Sequence, residues 1–229
     1  MTKLNRRALL QLLILGGLSR PAHAFWFSDD EDDKPQSTNT HQQIHRLKGS
    51  VTVNNQPATT ASIITPGDEI ITGENTEFVF HQGKDAYLLR SNTRIKLEGQ
   101  SSIVDALRIV SGAVLSVFGS GNKQIITPVA TAGIRGTGTY FEVDDETTYM
   151  CTCYGETRLT SNTDPDVAES LSTTHHESPR YVRSSAQGSY IEEAPAKNHT
   201  DAELIMLEAT VGREPPFKDE YDPDADYAA

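Results

Sequence analysis

The sequence predicts a mainly β protein with one α-helix near its C-terminal end, and three observations carry that prediction. Short apolar runs of period two recur through the middle of the chain, turn residues fall between them, and one capped segment of helical period follows. The runs are Val51 and Val53, Phe78 and Phe80, Ile95 and Leu97, Leu107 and Ile109, Leu115 and Val117, and Phe141 and Val143. Each places alternate apolar side chains on one face. Asn54-Asn55, Pro66-Gly67-Asp68, Gln82-Gly83-Lys84, Ser111-Gly112 and Gly119-Ser120-Gly121 lie between them and supply the fixed or positive φ that tight turns need. About ten strands are expected, arranged as a sandwich, a roll or a short β-solenoid.

Residues 1–24 read as an export signal. Lys3, Arg6 and Arg7 form a basic start, Ala8 to Leu18 an apolar run too short to span a bilayer, and Ala22-His23-Ala24 a small-x-small cleavage site. Arg6-Arg7 within Asn5 to Leu10 resembles a twin-arginine signal, with Asn5 in place of the usual Ser or Thr; the general secretory route is the alternative. Either route implies a periplasmic or secreted protein. Cleavage after Ala24 removes four basic and no acidic residues, so the formal charge moves from −12 to −16. That charge excludes nucleic acid as a natural partner. No later apolar run is long enough for a membrane helix.

Residues 25–46 form an acidic, polar linker beginning with Ser28 to Asp33, residues 47–160 the β domain, and residues 161–217 a C-terminal extension. Residues 218–229 are an acidic tail with too little apolar surface to offset the entropy of ordering. The helix is expected over 201–211. Thr200-Asp201-Ala202-Glu203 is a capping box, Leu204, Leu207 and Val211 make an apolar stripe, and Gly212 with Pro215-Pro216 ends it.

The order Gly67-Asp68, Ile71-Thr72-Gly73, an x-Gly-x hairpin, Leu107 to Val117, then Thr127-Pro128, Ile134-Arg135-Gly136-Thr137 and the strand Tyr140 to Val143 resembles the FecR domain over residues 47–160. The resemblance implies a β domain of a bacterial envelope. Iron-dicitrate regulators of that family also carry a sigma-factor-binding region and a membrane helix. Neither is expected here, so the signalling role is not carried over. Thr127, Pro128, Arg135, Gly136 and Thr137 are the motif residues. The glycines are read as places where backbone turns or approaches closely, and Arg135 as a partner for a carboxylate within the domain, with anion binding as the alternative.

Cys151 and Cys153 stand outside that motif. Two apart in a strand-like run, their side chains share one face at a separation of roughly 6.5 to 7 Å, too far for a relaxed disulfide. That spacing suits two thiolates on one metal ion. His175, His176 and His199 follow, so Cys151, Cys153, one of the paired histidines and His199 can complete a four-ligand site for zinc, copper or iron. Two other readings stand beside it: a redox-active dithiol, and cysteines that fill a core strand as small hydrophobes. Catalytic templates are absent. No Gly-x-Ser-x-Gly occurs, and Gly133 to Gly138 lacks the lysine of a phosphate loop. The expected function is a non-enzymatic binding or sensing module. Its partner is an envelope protein, a glycan or a small ligand.

Overall fold

A computed structural model describes residues 43–100, 103–185 and 188–223. The expected export signal, residues 25–42 of the expected linker and residues 224–229 of the expected tail lie outside the described residues; the last residues of the linker, from Ile44, belong to the first strand, and the tail begins with a 3-10 turn at Lys218–Glu220. The elements are β1 (Ile44–Lys48), β2 (Val51–Val53), β3 (Gln56–Pro57), β4 (Glu69–Thr72), β5 (Glu77–Gln82), β6 (Asp85–Leu89), β7 (Arg94–Gln100), β8 (Ile103–Val117), β9 (Asn122–Ile126), β10 (Ala130–Val143) and β11 (Thr147–Ser161). They continue with β12 (Ala168–Thr173), β13 (Arg180–Ser185), β14 (Gly188–Glu193), α1 (Asp201–Thr210) and a 3-10 turn at Lys218–Glu220. The fold is mainly β with one α-helix, as the periodicity predicts.

Three features differ from the sequence reading. Fourteen strands, rather than about ten, are present among the described residues. Three of the additional strands, β12 to β14, fall in the segment where only the helix is expected, and they extend the sheet from β11. Their outer faces are polar and the last is largely exposed, so alternation of apolar residues hardly marks them. Ser111-Gly112 is not a turn but lies inside β8, beside a bulge in the β7–β8 pairing. Gly112 has φ +92°, and a Cβ there would stand 2.5 Å from the Thr93 Cα, so glycine is needed for close strand approach.

The sheet path runs β14-β13-β11-β10-β9-β8-β7-β4-β2-β3, with β1-β5-β6 joined at β8 and β12 at β11. β8 pairs with β7 and β9 along its first half and with β6 and β10 along its second. A strand with four neighbours passes between two parts of a sheet, and two apolar regions result. The larger holds Phe78, Phe80, Tyr87, Leu107, Ile109, Phe141 and Met150. The smaller holds Val79, Leu88, Leu115, Val117, Tyr140, Cys151 and Cys153 under Leu204 and Leu207 of α1.

β11 is buried on both faces because it separates these regions: Met150 faces the larger, Tyr149, Cys151 and Cys153 the smaller. Its threonines and tyrosines are strong strand formers. The motif residues shape its partner. Between Arg135 and Gly138 the β10–β11 register slips. Gly136 at φ +58° and Gly155 at φ +94° take up this bulge, and a Cβ on Gly155 would stand 2.8 Å from the Gly136 carbonyl oxygen.

Candidate metal centre

The sheet topology brings the histidines to the cysteines. One edge of β11 pairs with β13 at Thr147 to Met150 and with β12 at Gly155 to Thr160. The loop from β12 to β13 therefore spans the stretch that contains Cys151 and Cys153. His176 in this loop donates its backbone N–H to the Cys153 carbonyl at 2.9 Å. It does so at φ +53°, a left-handed conformation that costs about 1–2 kcal/mol and persists only where surroundings hold it.

His199 arrives by a different device. The Thr200 Oγ1 accepts from the Glu203 N–H and the Glu203 carboxylate accepts from the Thr200 N–H, completing the expected capping box. The cap places His199 and Asp201 on either side of it, at the end of α1 that lies over β11. The connector is anchored independently of the site. Lys197 pairs with Glu142 at 2.6 Å, Arg90 with Glu203 at 2.8 Å and Arg213 with Glu208 at 2.6 Å, while the Tyr154 hydroxyl donates to Glu208.

Four donor atoms converge there. One atom each from Cys151, Cys153, His176 and His199 lies within 4.8 Å of all the others. Both cysteines are 0% exposed and unbonded to each other, His199 is 1% exposed and His176 6%. The Cys151 Sγ is 3.5 Å from the His176 Nδ1, and that nitrogen is 2.9 Å from the His199 Nε2. The remaining ring nitrogens are committed outward: His176 Nε2–H donates to the Asp201 Oδ1 at 2.9 Å and His199 Nδ1–H to the Lys197 carbonyl at 2.6 Å. In the neutral rings, the two nitrogens that face each other therefore both present lone pairs. Tyr140 stacks on His199 at 4.6 Å and fixes its plane.

His175 is not among the four. Its side chain is 36% exposed, its Nε2 is 2.8 Å from the Asp201 Oδ2, and Phe217 stacks on its ring at 4.4 Å. Sequence reasoning left the choice between the paired histidines open, and the geometry selects His176. In the sequence Asp201 shows only as part of the capping box, and Tyr140 and Phe217 carry no mark of a site role. Asp201 stands two residues from His199, which was the available signal; Tyr140 and Phe217 reach the site only through pairing and packing.

The electrostatics are those of a charged cluster in a buried place. A hydrogen bond from Cys153 is the main cause that holds the Cys151 thiol well below its ordinary value, with His176 and His199 assisting against burial. Burial, then the Cys151 charge, pushes the Cys153 thiol up. Burial opposes charge on His176, but Cys151 and Asp201 outweigh it and raise the imidazole. Cys151 and His176 thus each favour the charged form of the other.

The FecR-like motif lies elsewhere. Thr127 closes the turn at Pro128, its Oγ1 accepting from the Ala130 N–H at 3.0 Å, and Thr137 is buried in the bulge. Arg135 is exposed and faces Glu156 across the β10–β11 ladder, but forms no ion pair among the described residues. The expected carboxylate pairing is therefore not made.

No family model matches the chain, and no curated protein does. Among solved structures it is similar to two crystal structures of a "putative anti-sigma factor" from Parabacteroides distasonis. One has a TM-score of 0.46 at 12% identity over 56% of this chain and 60% of that one; the other has 0.46 at 11% over 60% and 71%. The chain thus spans three fifths of the length of the first.

Proposed function

We propose that this chain is an exported, non-enzymatic FecR-like β module that holds a transition-metal ion, zinc above all, through Cys151, Cys153, His176 and His199. The observation that carries the reading is the convergence of two sulfurs and two imidazole nitrogens whose other ring nitrogens are already engaged. Carboxylate and carbonyl partners of this kind orient histidine ligands toward a metal. A tetrahedral ion with bonds of roughly 2.0–2.3 Å sets its ligands roughly 3.3–3.8 Å apart. The Cys151 to His176 spacing of 3.5 Å lies within that range, while the 2.9 Å between the His176 Nδ1 and the His199 Nε2 is shorter, so these two rings must part by roughly 0.4 Å to share an ion. Two sulfur and two nitrogen donors favour zinc, with copper or iron as alternatives that composition alone leaves open.

Four protein donors leave no position for a substrate, which supports holding or sensing rather than catalysis. Thiol exchange needs sulfur that a second thiol can reach, whereas both sulfurs here belong to residues 0% exposed. The envelope location rests on the export-signal pattern of residues 1–24 and on the resemblance over residues 47–160. Twin-arginine export would suit a cargo folded around its ion.

The test is elemental analysis of protein purified anaerobically, without a polyhistidine tag, beside Cys151→Ser/Cys153→Ser and His176→Ala variants. Near-stoichiometric metal in the parent and its loss in both variants is the expected result. Metal-free protein recovered from the native compartment would overturn the reading.

A further inference from the structure

The inner ligands are closed to solvent, which raises the question of how an ion reaches them. Beside them lies a second group of donors: His175, His176 and Asp201 offer ligand atoms within 4.8 Å of one another. The two groups share His176, whose Nδ1 faces the sulfurs and whose Nε2 faces Asp201. Exposure rises outward, from cysteines at 0% to a His175 side chain at 36%.

Resting on the metal reading above, we propose that His175 and Asp201, with the Nε2 of His176, form an entry station that captures a divalent cation and passes it inward to Cys151, Cys153, His176 Nδ1 and His199. The chemistry of the donors gives the direction. Nitrogen and oxygen ligands take a hydrated ion readily, while the inner pair of sulfurs binds a borderline or soft ion more firmly. With the ion outside, His176 binds through Nε2 and carries its proton on Nδ1; as the ion passes to the inner donors Nδ1 loses that proton and Nε2 takes one up beside Asp201, so the ring's proton count is unchanged. Once the ion is inside, Asp201 accepts again from the His176 Nε2–H and holds the ring in the orientation the inner site uses. Phe217 covers the station. It is 3% exposed, stacks on His175 at 4.4 Å and 24°, and reaches His176 at 6.1 Å and Tyr154 at 5.9 Å.

The experiment follows cobalt(II) uptake by reduced, metal-free protein in a stopped-flow instrument, reading the thiolate-to-cobalt absorption, and then its release to a chelator. His175→Ala is expected to slow uptake and release severalfold and by the same factor, with one ion still bound per chain, because a path serves both directions. Phe217→Ala is expected to speed both. Parent-like uptake by His175→Ala, or an affinity loss confined to faster release, would overturn the entry station and leave the inner site standing. No thiolate-to-cobalt absorption in the parent would overturn the metal reading itself. If His175→Ala does not fold, Phe217→Ala alone decides, and unchanged rates in it overturn the proposal.

Discussion

Asp201→Ala removes the carboxylate that the Nε2 atoms of His175 and His176 share. Asp201 is 5% exposed and accepts from the His175 Nε2 at 2.8 Å and the His176 Nε2 at 2.9 Å. Alanine leaves the His176 N–H without this acceptor in a buried place, a loss of about 1–3 kcal/mol in the metal-free fold. The first helical position also loses a favourable charge at the positive end of α1, about 0.3–1 kcal/mol. For a domain of this size each kcal/mol moves Tm by about 2–4 °C, so a fall of roughly 3–16 °C is expected. Metal binding suffers separately. With no carboxylate to fix its tautomer and plane, His176 presents its Nδ1 less well, and affinity should drop about 10–100-fold. Chelator competition gives the Kd and calorimetry the Tm; Asp201→Asn, which keeps one acceptor oxygen, should fall between parent and alanine. A folded Asp201→Ala protein with the parent Kd would refute the argument that the carboxylate orients His176.

Four further outcomes are expected. Zinc at a hundredfold excess over Kd should stabilise the protein by about 2.7 kcal/mol, a rise of roughly 5–11 °C in Tm. The metal-free protein should still melt cooperatively, because Lys197–Glu142, Arg90–Glu203 and Arg213–Glu208 anchor the connector and helix; a metal-free chain without a thermal transition would contradict this. Metal affinity should fall as pH falls from about 9 to 6, since Cys153, whose thiol is raised above its ordinary value, holds its proton throughout that range, and His176, also raised, gains one within it, and both protons must leave before binding. In the metal-free fold the lowered Cys151 acts in a complementary sense. Its stabilisation is present above the unfolded thiol value and is lost as pH drops towards the folded one. Competition titrations across that range check the first sign, and a pH-independent Kd would contradict it. Gly112→Ala should destabilise by about 2–3 kcal/mol, because a Cβ would sit 2.5 Å from the Thr93 Cα at φ +92°; denaturant unfolding reads this, and a neutral substitution would show that β7 and β8 can separate.

The sequence by itself determined the mainly β class, the capped helix and the common face of Cys151 and Cys153. Each depends on near neighbours: the two-residue period of a strand, the Thr200 to Glu203 box, and pairs one turn apart. It named Cys151, Cys153, His175, His176 and His199 as candidates, but not which of the two adjacent histidines turns inward. Tertiary structure decided that. The β12–β13 loop falls beside the stretch of β11 left between two partner strands, and His176 is held there in a left-handed conformation. Strands β12 to β14 were hidden because their polar outer faces weaken the apolar alternation, and the Ser111-Gly112 bulge resembled a turn because both use glycine at positive φ. Asp201 was signalled only by its nearness to His199, and Tyr140 and Phe217 not at all, because their roles come from packing across 25 to 63 residues of chain. Side-chain period is a local property, whereas the meeting of a strand, a loop and a helix end is set by the pairing of the whole sheet.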